Sequence, residues 1–164
     1  MTLQTVREYL GLHAPDIDII ETPTSTATVA AAAAAHGVAP GQIAKTLSLW
    51  LRDEVVLLVL SGDTKIDNQK FKACFKVKAK MLAADDVVHW TGHPVGGVCP
   101  FGLAHDLRVF ADEALKNFDI VLPAAGAINA AVRITPARMA GLVGAEWVDV
   151  AQGSNDLGPP SRST

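Results

Sequence analysis

Three features of this sequence combine residue types and spacings that could do chemistry: a lysine within an apolar strand pattern, a loop dense in glycine and proline, and a run of six lysines. Over Ile43 to Leu51, strand alternation places Ile43, Lys45, Leu47, Leu49 and Leu51 on one face and Ala44, Thr46, Ser48 and Trp50 on the other. Lys45 therefore lies on the apolar side. There it either snorkels to an edge or lines a cavity where its ammonium meets an anion or a polarised oxygen. The stretch Gly92-His93-Pro94-Val95-Gly96-Gly97-Val98-Cys99-Pro100-Phe101-Gly102 holds four of the 13 glycines and two of the 9 prolines. Proline fixes φ and glycine bares the backbone, so this stretch predicts a stiff loop whose main-chain N–H groups can cradle a carboxyl, carbonyl or phosphate oxygen. The same composition also suits a surface turn. Between Lys65 and Lys80, Lys65, Lys70, Lys72, Lys76, Lys78 and Lys80 make six of the 14 basic residues, with Asp67 the only acid among them. That stripe fits a phosphate backbone, and equally an ordinary solvated face.

Other chemistries find less support. The sequence contains no GxGxxG, GxxxxGK[ST], GxSxG or HExxH pattern, which argues against the common dinucleotide, nucleotide, serine-hydrolase and zinc-peptidase sites. His89 and His93 have a metal-pair spacing, but Gly92 and Pro94 interrupt a helix there, and neither a metal nor another cofactor is expected. Cys99 sits inside the loop without a sequence-near base to activate it and reads as a small packed thiol.

The elements that must position these residues follow from periodicity and punctuation. Thr2 to Leu12 predicts an amphipathic helix and Ile17 to Glu21 a strand. Ser25 or Thr26 caps a small-residue helix over Thr28 to His36 that Gly37 ends. Gln42 to Leu51 and Val55 to Leu60 form a hairpin. Asp67 caps a helix over Asn68 to Phe75, Lys76 to Leu82 reads as a strand with Lys76, Lys78 and Lys80 on one face, and Asp85 to Trp90 is helical. Strands at Leu107 to Ala111, Asp119 to Ala124 and Asn129 to Ile134 lead to a helix over Ala137 to Val143, capped by Thr135 with Pro136 in its first turn. A last strand spans Glu146 to Val150. These elements predict one α/β domain over residues 1–150, with a mixed, largely antiparallel sheet or distorted barrel and peripheral helices, followed by a flexible tail over 151–164.

Composition fits that reading. The 164 residues are 49% apolar, with a mean hydropathy of +0.26, enough for one buried core. A net charge of −3 argues against a duplex-DNA binder. Two cysteines without CxxC spacing point to a reducing, cytoplasmic setting. Met1 to Leu12 carries Arg7 and Glu8 and does not read as a signal peptide, and no apolar run approaches a membrane span.

The order of several short motifs resembles the YbaK/EbsC family, that of the bacterial prolyl-tRNA synthetase editing domain and its free-standing relatives. The residues concerned are Thr26-Ala27-Thr28 before an alanine-rich helix, Ile43-Ala44-Lys45-Thr46-Leu47, Gly62-Asp63, Lys80-Met81-Leu82-Ala83, Thr91-Gly92, and Gly96-Gly97-Val98-Cys99-Pro100-Phe101-Gly102. The similarity runs from about Ile20 to Val150. The resemblance implies a trans-editing deacylase that hydrolyses the ester of a mischarged aminoacyl-tRNA without metal or cofactor. In it, Lys45 would contact the acceptor end and Gly96, Gly97, Val98, Cys99 and Pro100 would hold the ester by their backbone. The turn Ala124-Ala125-Gly126 would join the pocket through Gly126, and a water would be the nucleophile. Many relatives carry a serine in that turn; here Thr26 and Thr46 are the hydroxyls at hand. Lys70, Lys72 and Lys76 are candidate tRNA contacts. The implied partners are mischarged tRNA and an aminoacyl-tRNA synthetase. A non-catalytic tRNA- or protein-binding module, and a hydrolase of another small activated ester, fit the same residues.

Overall fold

The computed structural model describes residues 2–153. Helix α1 (Thr2–His13) turns Val6 and Leu10 inward from a polar exterior. After the short strand β1 (Ile19–Glu21), helix α2 (Val29–His36) begins at Thr28, whose hydroxyl accepts from Ala31 N. The cap is thus Thr28, not Ser25 or Thr26; Thr26 instead donates its hydroxyl to Ile128 O. Because α2 is almost all alanine, Ala32 and Ala33 sit close against Ile43 and Leu122.

The centre is the hairpin of β2 (Ile43–Leu51) and β3 (Glu54–Ser61), in register from Ala44 opposite Ser61 to Leu51 opposite Glu54. Strand β3 is buried on both faces from Val55 to Ser61, as its unbroken apolar run predicts. Strand β4 (Thr64–Ile66) follows a tight turn, and Asp67 caps α3 (Asn68–Phe75) by accepting from Gln69 N and Lys70 N. The strand expected over Lys76 to Leu82 shrinks to β5 (Lys80–Met81). Lys76 adopts φ +67 at the end of α3, so Lys76, Lys78 and Lys80 do not form one strand face. Then come α4 (Ala84–Thr91), β6 (Arg108–Asp112), β7 (Leu122–Pro123), β8 (Ala130–Val132), α5 (Pro136–Val143), capped by Thr135, β9 (Glu146–Val148) and β10 (Ala151–Gly153).

The main sheet runs β5-β2-β3-β6-β9, with β7 pairing the same outer edge of β2 that β5 uses. Pairings β2–β3 and β2–β5 are antiparallel; β3–β6, β6–β9 and β2–β7 are parallel and reached by crossovers, not hairpins. Antiparallel pairs β1–β8 and β4–β10 flank it. The fold is the mixed α/β architecture expected. One face of the sheet packs Ala44, Leu57 and Val59 against Val6, Leu10, Cys99 and Phe101; the other packs Leu49, Val56, Leu58 and Leu60 against Phe71 and Val150. Residues 151–153, expected as tail, form β10 because their backbone completes the edge of β4; residues 154–164 lie outside those described.

Candidate active site

The outer edge of β2 is incompletely covered. Strand β7 pairs it only at Ile43 and Ala44, and β5 only at Leu49 and Trp50, with Leu82 N reaching Ser48 O. Between these pairings the edge passes Lys45, Thr46 and Leu47 with no strand beside it, and a cavity of ≈ 260 Å³ opens there. The start of α2 (Thr26, Thr28, Val29), β2 itself, the loop residues Gly96 and Val98, and Ala124 wall it. Its lining is largely apolar, so polar groups that face it act with little competition from water.

Lys45 lies half-buried in this wall. Its Nζ donates to Thr64 O, at the start of β4, and, at 3.5 Å, to Gly62 O in the turn that precedes it. That turn is built to offer the two carbonyls: Thr64 Oγ1 donates to Ser61 O at 2.7 Å, and Ser61 Oγ lies 2.6 Å from Gly41 O and 2.9 Å from Asp63 Oδ1. Burial pulls the Lys45 ammonium below the ordinary lysine range, and the Asp63 carboxylate opposes that shift. An ammonium has three N–H donors, so two carbonyls leave one for a ligand.

The glycine-rich loop is held from behind. His93 is fully buried; its Nε2 lies 2.7 Å from Phe101 O. A carbonyl only accepts, so Nε2 carries the proton and Nδ1 is the bare nitrogen left without a partner. Gly97 N donates to Pro94 O at 2.9 Å, and Gly126 N donates to Gly97 O at 3.0 Å, which joins the loop to the Ala124–Gly126 turn. A Cβ on Gly97 would stand 2.8 Å from the Ala127 backbone, and Gly96 holds φ +93 with Ala27 Cβ 2.9 Å from where its own would be. Only bare backbone fits at both places.

Of the residues singled out in the sequence, Lys45, Thr26, Thr46, Gly96 and Val98 line one cavity. Gly97, Cys99, Pro100 and Gly126, expected to hold the substrate, do not line it. With its own N–H engaged by Pro94, Gly97 is not a donor to the cavity; of the loop's backbone, Gly96 and Val98 line it. Cys99 is 0% exposed and burial pushes its thiol up to about 12, which leaves no thiolate to attack anything. Lys70, Lys72 and Lys76 line no part of the cavity: Lys70 pairs with Asp149 at 3.1 Å and donates to Ala151 O, and Lys72 lines a separate pocket with Lys78. Sequence reasoning missed His36, Ser48, Met81, Val87 and Val95, all in the cavity wall. His36 was within reach, since it lies one turn beyond Ala32 on the face of α2 that meets β2. Its Nε2 is buried without a partner, and burial, followed by the Arg133 charge, pulls its pKa below the usual histidine value.

Fold and cavity together define a small domain with a cavity between a broken sheet edge and a bare-backbone loop. Residues 23–142 match the aminoacyl-tRNA editing domain family, and the chain belongs to that family. It is 44% identical over 154 residues to the uncharacterised protein YwhH of Bacillus subtilis (strain 168), spanning 93% of this chain and 98% of that one. It is 36% identical over 101 residues to a proline–tRNA ligase of Nitratidesulfovibrio vulgaris, spanning 60% of this chain and 18% of the ligase. A crystal structure of a protein proposed as a trans-editing enzyme for prolyl-tRNA synthetase superposes with a TM-score of 0.86 at 29% identity, over 93% of this chain and 98% of that one. Among the described residues, no helix is long and apolar enough to cross a membrane.

Proposed function

We propose that this protein hydrolyses the ester of mischarged aminoacyl-tRNA in trans, releasing free amino acid and tRNA with its 3′ end intact. The observation that carries this reading is the meeting of Lys45 and the Gly96–Val98 backbone in one apolar cavity at the break in the β2 edge. The cavity would take the aminoacyl group, with the ester carbonyl toward main-chain donors of Gly96 and Val98. A water oxygen bonds to the carbonyl carbon, negative charge grows on the carbonyl oxygen, and those donors offset it. The C–O bond to the ribose then breaks, and the departing ribose oxygen takes up the proton that the water gives up, relayed by hydroxyls of the substrate itself. Lys45 supplies a fixed positive charge beside the acceptor end. No protein nucleophile enters, in keeping with the raised pKa of Cys99.

The test is to incubate the protein with a panel of mischarged tRNAs. Amino acid release that disappears in Lys45→Ala supports the reading. Binding of tRNA with no release from any member of the panel would replace it with a non-catalytic binding module.

A further inference from the structure

Thr46 sits at the centre of the break in the β2 edge, where neither β7 nor β5 pairs with it. Its Oγ1 is buried with no hydrogen-bond partner. Main-chain groups of alternate strand residues point to the same edge, and Ser48 O points outward, since Leu82 N donates to it. The N–H and C=O of Thr46 therefore point outward too, into the interval that neither β7 nor β5 fills. Buried polar groups in folded proteins are nearly always paired, and here a buried, unpartnered hydroxyl stands beside main-chain groups on an unpaired strand edge, an arrangement that a ligand would complete.

We infer that the aminoacyl group docks as a one-residue strand on this edge, and that Thr46 thereby selects esters with a free α-ammonium. The inference rests on the editing function proposed above. An α-amino acid ester carries its nitrogen and carbonyl oxygen in the same relation as a strand residue. In an antiparallel hydrogen-bonded pair, two facing residues exchange both N–H···O bonds. Here the α-ammonium donates to Thr46 C=O and the ester carbonyl accepts from Thr46 N–H. That carbonyl keeps a second lone pair for a donor of the Gly96–Val98 loop. Thr46 Oγ1 takes a further N–H of the ammonium. The chemical class so defined is aminoacyl ester; N-acylated and desamino acyl esters lack the charged donor and fall outside it.

The binding test uses two stable amides measured by calorimetry, 3′-alanylamino-adenosine and its desamino counterpart, 3′-propionylamino-adenosine. The alanyl compound is expected to bind about tenfold or more tightly, since a charged hydrogen bond is at stake. Thr46→Val should narrow that difference severalfold, since it removes Oγ1 and leaves the main-chain carbonyl in place, and Thr46→Ser should keep it in full. Thr46→Val should also raise the melting temperature of the free protein, because it replaces an unpaired buried hydroxyl by a methyl; a merely structural hydroxyl would give the reverse. Equal affinity of the two compounds, binding of neither, or a difference that Thr46→Val leaves unchanged overturns the inference. Tight, Thr46-dependent binding of the alanyl compound without deacylation of any tRNA would instead sink only the hydrolytic reading.

Discussion

Lys45 illustrates how far a single residue can be read from strand parity. Alternation placed it on the apolar side of β2, and it is half-buried there, opposite Leu60 in the register. Its bonds to Gly62 O and Thr64 O were not legible, because they depend on a turn whose own hydroxyl bonds form only in the folded chain. The residue thus has two duties, bracing the turn and charging the cavity, and its variants separate them. Lys45→Ala should lose about 1 kcal/mol of stability for the abandoned carbonyls and roughly 10²-fold in deacylation. Lys45→Arg keeps the charge but not the compact geometry, so it should retain stability better than activity; urea unfolding and single-turnover deacylation compare the two. Cys99 gives the opposite expectation. Its neutral, enclosed thiol should resist iodoacetamide in the native protein while the exposed Cys74 reacts, both reacting in denaturant, and Cys99→Ala should deacylate at near the parental rate. A Cys99→Ala protein that folds but is inactive would restore the thiol to the mechanism.

At the scale of elements, capped helices and the long hairpin were readable because their signals are local: Asp67, Thr135 and the run Val55 to Leu60 each act within a few residues. The three-residue strands β4 and β10 were not, because neither has a pattern of its own and each exists through the other's backbone. The lysine-rich stretch misled for a related reason. Alternating lysines resemble a strand face, but Lys76 is consumed as the left-handed end of α3, and alternation cannot report that. The glycine loop yields a direct prediction. Gly97→Ala puts a methyl against the Ala127 backbone, which cannot swing away as a side chain would, so the loop must shift. A loss of about 1 to 3 kcal/mol in stability is expected, with a larger proportional loss in deacylation; unaltered activity would remove the loop from the site.

The joint between α1 and α5 has a pH signature. Asp16 accepts from both terminal nitrogens of Arg138, at 2.6 and 2.7 Å, and that guanidinium holds its carboxyl at about 2, from an ordinary 3.8. A depressed folded-state value means that the unfolded chain binds the proton first as pH falls. The pair's contribution is therefore complete above pH 3.8 and disappears on descent through about 2. Arg138→Gln should flatten the stability profile in that window and leave the neutral-pH cavity untouched, as urea titrations at stepped pH would show.

For the molecule as a whole, the proposed function asks which surface would meet the body of a tRNA. Lys70 is committed to Asp149 and Ala151, whereas neither Lys72 nor Lys76 forms a salt bridge among the described residues. If α3 touches the tRNA backbone, Lys72→Gln with Lys76→Gln should weaken binding to all tRNAs alike and lower the salt slope by about 0.7 to 0.9 for each phosphate no longer neutralised. Lys70→Gln should act more on stability than on that slope. An unchanged slope in the double variant would reduce the stripe to a solvated surface. Chain order and composition foretold the family and the class of fold. The broken sheet edge was invisible to them, because it is bounded by β5 and β7, two-residue strands some forty positions apart.

One consequence concerns where this protein ends in practice. Thr64, whose carbonyl steadies Lys45, is register-paired with Gly153, the last residue of β10. An expression boundary drawn after Val150 would strip β10 from the edge of β4. The shortened polypeptide would keep its core and its spectrum and still loosen the carbonyl that holds the cavity's lysine.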